Sequence, residues 1–441
     1  MLEGGAPRTL EDRLRMEDSK TPGPVVLPRP DHPISRKLID PDALWILNRL
    51  RREGYLAYVV GGAVRDLLLG HEPKDFDVAT NARPSEIRRL FRNCRLIGRR
   101  FRLAHVYFRR KGEPEKIVEV STFRGLATRA AQGSQCSLPP EDLDLEGTVF
   151  GTPDEDAWRR DFTVNGLFYN ADDFSVVDHV GGLKDLEHGL IRVIGDPDER
   201  FREDPVRMLR AIEFAVRLGF RIEEATQAAL RRNAHRITES SPARLRDELR
   251  QMQHRGIVAA VLAEAHRYDL LGHLLPEAQV WDGIFPLVGA LDERVAAGEA
   301  PDEARYLAAL LLPTVCARYP LTPSASLDKA YESLAPLLES LTQRYQISAH
   351  LRHLAADLLL SCYRIARGKA YRTKGKFVRK PEFQEAWALF RGWAEVAGGL
   401  EELVAYWEAY LAGQETPAAG AGRRRRRRPR RRRGPRPAAP E

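Results

Sequence analysis

Tyr58-Val-Val-Gly-Gly-Ala-Val-Arg-Asp66 and, a few residues on, Lys74-Asp-Phe-Asp-Val78 decide how this chain reads. An apolar run that ends in a glycine pair predicts a strand, Tyr55–Val60, turning directly into a helix that starts at Gly62–Ala63. Gly61 and Gly62 at that turn let backbone N–H groups approach a phosphate at the positive end of the helix dipole. Arg65, in the first helical turn, can add a bidentate phosphate contact. Asp75 and Asp77 stand at i and i+2, so on a strand both carboxylates share one face while Phe76 turns into the core. Neighbouring carboxylates repel unless a cation lies between them. Mg2+, a hard ion that takes carboxylate and phosphate oxygens, is the expected one. The pattern implies phosphoryl or nucleotidyl transfer by two metal ions, one activating an attacking hydroxyl and the other stabilising the leaving pyrophosphate. A third acid on a neighbouring strand would complete the site. Glu119, in Lys116-Ile-Val-Glu-Val-Ser-Thr-Phe-Arg124, alternates with Val118 and Val120 and so points out of a core.

Outward from this block the chain divides by pattern. Residues 1–32 are rich in Pro, Gly and charge without periodicity and read as a flexible arm. Residues 33–190 mix helical and strand periods: helices at Asp42–Glu53 and Ser85–Phe91, and strand-like runs at Phe76–Ala79, Leu103–Phe108, Ile117–Thr122 and Phe174–Val177. The polar, Gly-rich stretch Ala127–Pro153 reads as a long functional loop. Beyond about residue 195 the periods are helical throughout, giving a neck at 191–260 and a body at 261–413. Residues 414–441 are Pro/Ala/Gly/Arg low-complexity sequence, expected to be disordered. The fold class is therefore α+β, with a small mixed sheet in an N-terminal head and an all-α neck and body behind it.

Composition narrows the function classes. The 441 residues are 43% hydrophobic and 30% charged, enough for buried cores and against wholesale disorder. The formal net charge is +8, yet Arg423–Arg436 alone holds eleven arginines and no acid, so the remainder stands at −3. Basicity is a property of the tail, with Arg423, Arg424 and Arg425 opening an electrostatic footprint for RNA. No apolar run is long enough for a membrane span, and the N-terminus has no secretory pattern. Cys94, Cys136, Cys316 and Cys362 form neither CxxC nor zinc spacing and read as reduced thiols of a cytoplasmic protein. Arg364–Lys380 carries eight basic residues with Tyr363, Tyr371 and Phe377 interleaved, a mixture suited either to backbone contact with base stacking or to a solvated loop.

The glycine–aspartate block resembles the nucleotidyltransferase head of the DNA polymerase β superfamily, in its class II tRNA-nucleotidyltransferase and bacterial poly(A) polymerase branch. Further blocks carry the resemblance from about Ser35 to Gln251. Arg159-Arg-Asp-Phe-Thr-Val-Asn165 looks like the RRDxTxN motif and Glu203-Asp-Pro-Val-Arg-Met-Leu-Arg210 like the EDxxR motif. Ser241-Pro-Ala-Arg-Leu-Arg-Asp-Glu-Leu249 resembles the neck segment that follows. The resemblance implies that Asp161 is the third catalytic carboxylate, a label for which Glu119 competes. It implies nucleotide contacts from Arg159, Arg160, Asn165 and Arg210. Asp204 and Arg207, three apart on a helix face, offer an acceptor beside a donor. Adenine and cytosine present the complementary edge, and guanine and uracil the reverse, so this pair selects A and C without a template.

Two activities remain open on that basis: adding A repeatedly, or adding C, C and A to tRNA. Leu96-Ile-Gly-Arg-Arg-Phe-Arg-Leu-Ala-His-Val106 resembles the signature of the polyadenylating subgroup, and the arginine tail is similar to that subgroup as well. The expectation is polyadenylation of single-stranded RNA 3′ ends with ATP as substrate; a CCA-adding or A-adding tRNA nucleotidyltransferase is the alternative. Arg99, Arg100 and Arg102 form a basic cluster expected to hold RNA or triphosphate, and proteins of RNA degradation are the expected protein partners.

Overall fold

The computed structural model describes residues 23–98, 103–125 and 150–413. The head is built on one mixed sheet of eight strands: β1 (Val25–Leu27), β2 (Ala57–Val60), β3 (Asp77–Thr80), β4 (Cys94–Ile97), β5 (Leu103–Phe108), β6 (Lys116–Thr122), β7 (Leu167–Asn170) and β8 (Val176–Asp178). Their spatial order is β1-β8-β7-β2-β3-β6-β5-β4. All neighbours pair antiparallel except β3 and β6, which run parallel with Val78 opposite Val120. The sheet is larger than the small one expected, because β1, β4 and β7 join it.

Each strand sorts its residues by the period of two. Ala57, Val59, Val78, Val118, Val120, Leu167 and Tyr169 face the main head core. There they meet Ile46, Leu47 and Leu50 of α1 (Pro41–Arg52), Ala63, Val64 and Leu67 of α2 (Gly62–Leu68), and Ile87 of α3 (Pro84–Leu90). α1 starts where Asp40 accepts hydrogen bonds from the Asp42 and Ala43 amides with Pro41 at the first helical position. Val60, Ala79 and Phe168 face the other way, into a small cluster with Phe123 and with Ala157 of α4 (Pro153–Arg159). Among the described residues that cluster covers only part of the second face. Farther along it, Ile117 and Ile97 are left 43% and 44% exposed.

The arm expected over residues 1–32 is corrected at its C-terminal end. Val25–Leu27 pairs with β8 as an edge strand, and Leu27 is buried in the head core. His32 is also buried; its Nδ1 accepts from the Ile34 amide, so Nε2 carries the proton and donates to the Phe174 carbonyl at 2.8 Å. The flanking prolines, Pro24 and Pro28, hid the strand from pattern reading, yet an edge strand tolerates proline beside it.

Behind the sheet the chain turns helical. After α5 (Gly182–Glu187) come α6 (Pro197–Glu203), α7 (Val206–Leu218), α8 (Glu224–Asn233) and α9 (Pro242–Arg255), and further helices run from Val258 to Leu411. α7 buries Met208, Leu209, Ala211 and Ile212 and ends at Gly219 in the left-handed region. One continuous hydrophobic cluster runs from Phe162 through α7 to Trp407, so neck and body share a single core. Among the described residues no helix is long and apolar enough to cross a membrane.

Candidate active site

Asp77 is the first residue of β3. Asp75 lies just before the strand, so the pair is not carried on one strand as expected; Asp75 enters from the connecting segment and is exposed. Phe76 packs against the head core as its place between them requires. The parallel register that sets Val78 opposite Val120 brings Asp77 alongside Glu119 of β6, on the thinly covered face. The pKa of Asp77 is pushed up to about 6, first by the surrounding protein and then by Glu119 and Asp75, with Arg160 opposing. Among the described residues no three His, Cys, Asp or Glu side chains converge closely enough to hold a metal ion by themselves.

The glycine turn sits at the end of β2. Gly61 has φ +72°, and a Cβ there would lie 2.9 Å from Arg160 Nη1, so both its conformation and the space favour glycine. Arg160 also binds Asp156 at 3.0 Å and lies over the Phe168 ring, which holds its charge close to Asp77 and the turn. Arg159 donates to the Gly125 carbonyl. Gly166 follows the short 3-10 turn Thr163–Asn165, where a Cβ would stand 2.5 Å from Val180 Cγ2.

Several residues assigned to the nucleotide are already committed elsewhere. Arg65 is buried, donates to Asp66 at 2.7 and 2.8 Å and to Asn165 Oδ1, and lies over Phe214. Asn165 in turn donates to Asp161 at 3.0 Å. Asp161 Oδ2 accepts twice from Arg210, at 2.8 and 3.0 Å, and Arg210 reaches on to Glu248 of α9 at 3.1 Å. Burial works against the charged form of Asp161, but Arg210, Asn165 and the Phe162 amide outweigh it and hold the carboxyl below the usual range. The RRDxTxN block thus forms a chain of polar contacts from α2 of the head to α7 and α9 of the neck. Arg65, Asn165, Asp161 and Arg210 all take part in that junction.

At the neck, Asp204 ends α6 and Pro205 caps α7. Asp204 and Arg207 share a face as the spacing requires, with Arg207 Nε 3.9 Å from Asp204 Oδ2. Both have further partners. Arg244 of α9 forks onto the two Asp204 oxygens at 2.7 and 2.8 Å, and Arg207 donates to the Arg200 carbonyl at 2.9 Å. Arg200 itself donates to the backbone carbonyls of Arg159 and Arg160, tying the RRD turn to the neck. Sequence reading missed Arg200, Arg244 and Glu248. Arg244 and Glu248 lie in the neck segment it quoted, but nothing local pairs them with partners some 40 residues away.

Arg99, Arg100, Arg102, Arg423, Arg424 and Arg425 lie outside the described residues. In the body, Lys369, Arg372, Lys376, Arg379 and Lys380 are exposed. Of the aromatics interleaved there, Tyr363 and Phe377 are buried, and Tyr371 packs edge-on against Phe377.

Comparison with known proteins matches these features. The family described as Poly A polymerase head domain covers residues 57–192, and the one described as Probable RNA and SrmB- binding site of polymerase A covers residues 219–281. A poly(A) polymerase I of Salmonella typhi is 38% identical over 414 residues, 89% of this chain and 86% of that one. A CCA-adding enzyme of Lactobacillus gasseri is also 38% identical, but over 210 residues, 48% of this chain and 49% of its own. A solved tRNA-processing enzyme complex superposes with a TM-score of 0.59 at 22% identity, covering 84% of this chain and 92% of that one, which shows a common fold. By the extent of its similarity, this chain belongs to the bacterial poly(A) polymerase I family, within the class II tRNA nucleotidyltransferases and poly(A) polymerases.

Proposed function

We propose that the open face at β3 and β6 transfers AMP from ATP to the 3′-hydroxyl of RNA, extending it without a template and releasing pyrophosphate. The observation that carries this reading is the alignment of Asp77 with Glu119 beside the Gly61 turn and Arg160. Three acids, Asp75, Asp77 and Glu119, then share one small region of surface, and the pKa of Asp77 is raised first by burial and then by the two neighbouring carboxylates. An all-oxygen, anionic donor set of this kind fits Mg2+, which commonly completes its shell with water and substrate phosphates. Bound there, the ions would lower the pKa of the attacking hydroxyl and steady the leaving group. Glu119 is the third carboxylate in this reading. Asp161, engaged by Arg210 and Asn165, holds the head to the neck.

The remaining groups bind and select. The Gly61–Gly62 turn and Arg160 receive the triphosphate. Asp204 accepts from the base amino group and Arg207 donates to the adjacent ring nitrogen. The fork from Arg244 uses one lone pair on each Asp204 oxygen and leaves others for the base. Guanine or uracil would set like against like here, and a site built on such bonds rejects the wrong partner strongly. Adenine over cytosine follows from the family likeness.

Primer-extension assays on Asp75→Asn, Asp77→Asn and Glu119→Gln test the assignment. Each is expected to lose at least about 100-fold in rate, roughly 3 kcal/mol of barrier. An active Glu119→Gln beside an inactive, folded Asp161→Asn would reverse the choice of third carboxylate.

A further inference from the structure

The line of side chains that includes Asp77 and Glu119 continues across the sheet. His105 of β5 lies directly opposite Glu119, and Arg95 of β4 directly opposite His105. Directly opposed residues on neighbouring strands project to the same face. His105 Nε2 is 3.4 Å from Glu119 Oε1. Arg95 is exposed, and its guanidinium rests over the Tyr107 ring, 5.5 Å from the centroid. A planar cation held against an aromatic ring keeps its donor fork pre-organised at the surface. Arg95 stands two strands from Glu119, about 10 Å away at ordinary strand spacing.

The two substrates need opposite approaches to the carboxylates, because an in-line displacement sets the attacking and leaving oxygens on opposite sides. The Gly61 turn and Arg160 lie on the β2–β7 side of Asp77, so the triphosphate belongs there. The attacking hydroxyl then arrives over β6, and the strand that carries it lies across β5 and β4. Resting on the carboxylate reading above, we infer that the open face of β4, β5 and β6 seats the 3′ end of the RNA primer, with Arg95 binding a backbone phosphate near the terminus and His105 positioning Glu119. The charge order along the row suits this occupant: acids where the hydroxyl reacts, a cation where the phosphodiester follows. Tyr107 is a positioning residue for Arg95.

Steady-state kinetics on the full chain with a short oligoadenylate primer tests this. Arg95→Ala is expected to raise the primer KM about tenfold, the loss of one charge-assisted contact, while kcat and the ATP KM stay within about twofold of wild type. The slope of log KM against log salt should fall by about 0.7, one phosphate contact on a single strand. Arg95→Lys should restore the slope but only part of the affinity, since lysine lacks the fork. His105→Ala should lower kcat about tenfold at unchanged primer KM, and His105→Gln, whose amide can still donate to Glu119, should recover most of it. Arg109→Ala, an exposed arginine just beyond β5, should change neither quantity. An Arg95→Ala enzyme with unchanged primer KM and salt slope, or with the ATP KM raised equally, overturns the primer seat, and an unchanged kcat in His105→Ala overturns the role of His105. Glu119→Gln assayed alongside separates the two levels: if it remains active, the carboxylate reading itself fails; if it is inactive while Arg95→Ala behaves as wild type, only the primer seat does.

Discussion

Asp161 and Glu119 both stand in motifs that suggest catalysis, and the company each keeps separates them. Alternation with Val118 and Val120 was enough to read Glu119 as pointing out of the core, and the structure places it on the carboxylate face. The partners of Asp161 could not be read, because Arg210 is 49 residues away and meets it only once α7 packs on the head. Arg65 illustrates the same limit: its spacing from the glycines is right for phosphate, but Asn165, 100 residues on, claims its guanidinium. The contacts of Asp161 make a prediction. Asp161→Asn leaves Arg210 short of a counter-charge and should cost about 2 kcal/mol, less than the usual penalty for breaking a buried pair because Glu248 remains. The folded carboxyl is held low, so its stabilisation is complete above about pH 4 and fades as the pH falls further. Denaturant melts of wild type and variant should therefore differ at pH 7 and converge in acid. A constant difference across that range would place the effect elsewhere.

Elements with a strong local period were legible, and those defined by their neighbours were not. The strand Leu103–Phe108 was read to its observed bounds, and α1 to within a residue. β1, β4 and β7 were missed: β1 and β4 are short edge strands, and β7 is a four-residue run buried on both faces, where alternation gives no signal. The helical run beyond residue 195 breaks at Asp204–Pro205 into α6 and α7, which is how Asp204 comes to lie at a helix junction. β1 is open to direct test. Deleting residues 1–28 removes Leu27 from the head core, a loss of about 2 kcal/mol for one buried leucine, and uncovers the edge of β8. Thermal melts should show a Tm lower by a few degrees. An unchanged Tm would mean that the strand adds nothing to the head.

At the scale of the whole molecule the sequence reads as a mixed-sheet head followed by helices, and the structure has that order, with one hydrophobic core running from Phe162 through the helices to Trp407. Such continuity comes from helix faces meeting at long range and leaves no local pattern to read. The arginine tail is legible by composition alone. Removing residues 414–441 should leave kcat at saturating primer unchanged, weaken RNA affinity and flatten its salt dependence, since each phosphate that an arginine neutralises releases counterions. Binding isotherms across a salt series check this, and identical slopes would show that the tail does not touch RNA. This face is proposed to add adenylate, chosen by Asp204 and Arg207, to RNA ends without a template. This is tested most directly by supplying each NTP alone with Mg2+ to a short non-tRNA primer and sizing the products. Long runs are expected with ATP, little extension with CTP and almost none with GTP or UTP, with that selection relaxed in Asp204→Ala. Extension that ignores such a primer and stops after C, C and A on tRNA, or that uses GTP and UTP as readily as ATP, would contradict it.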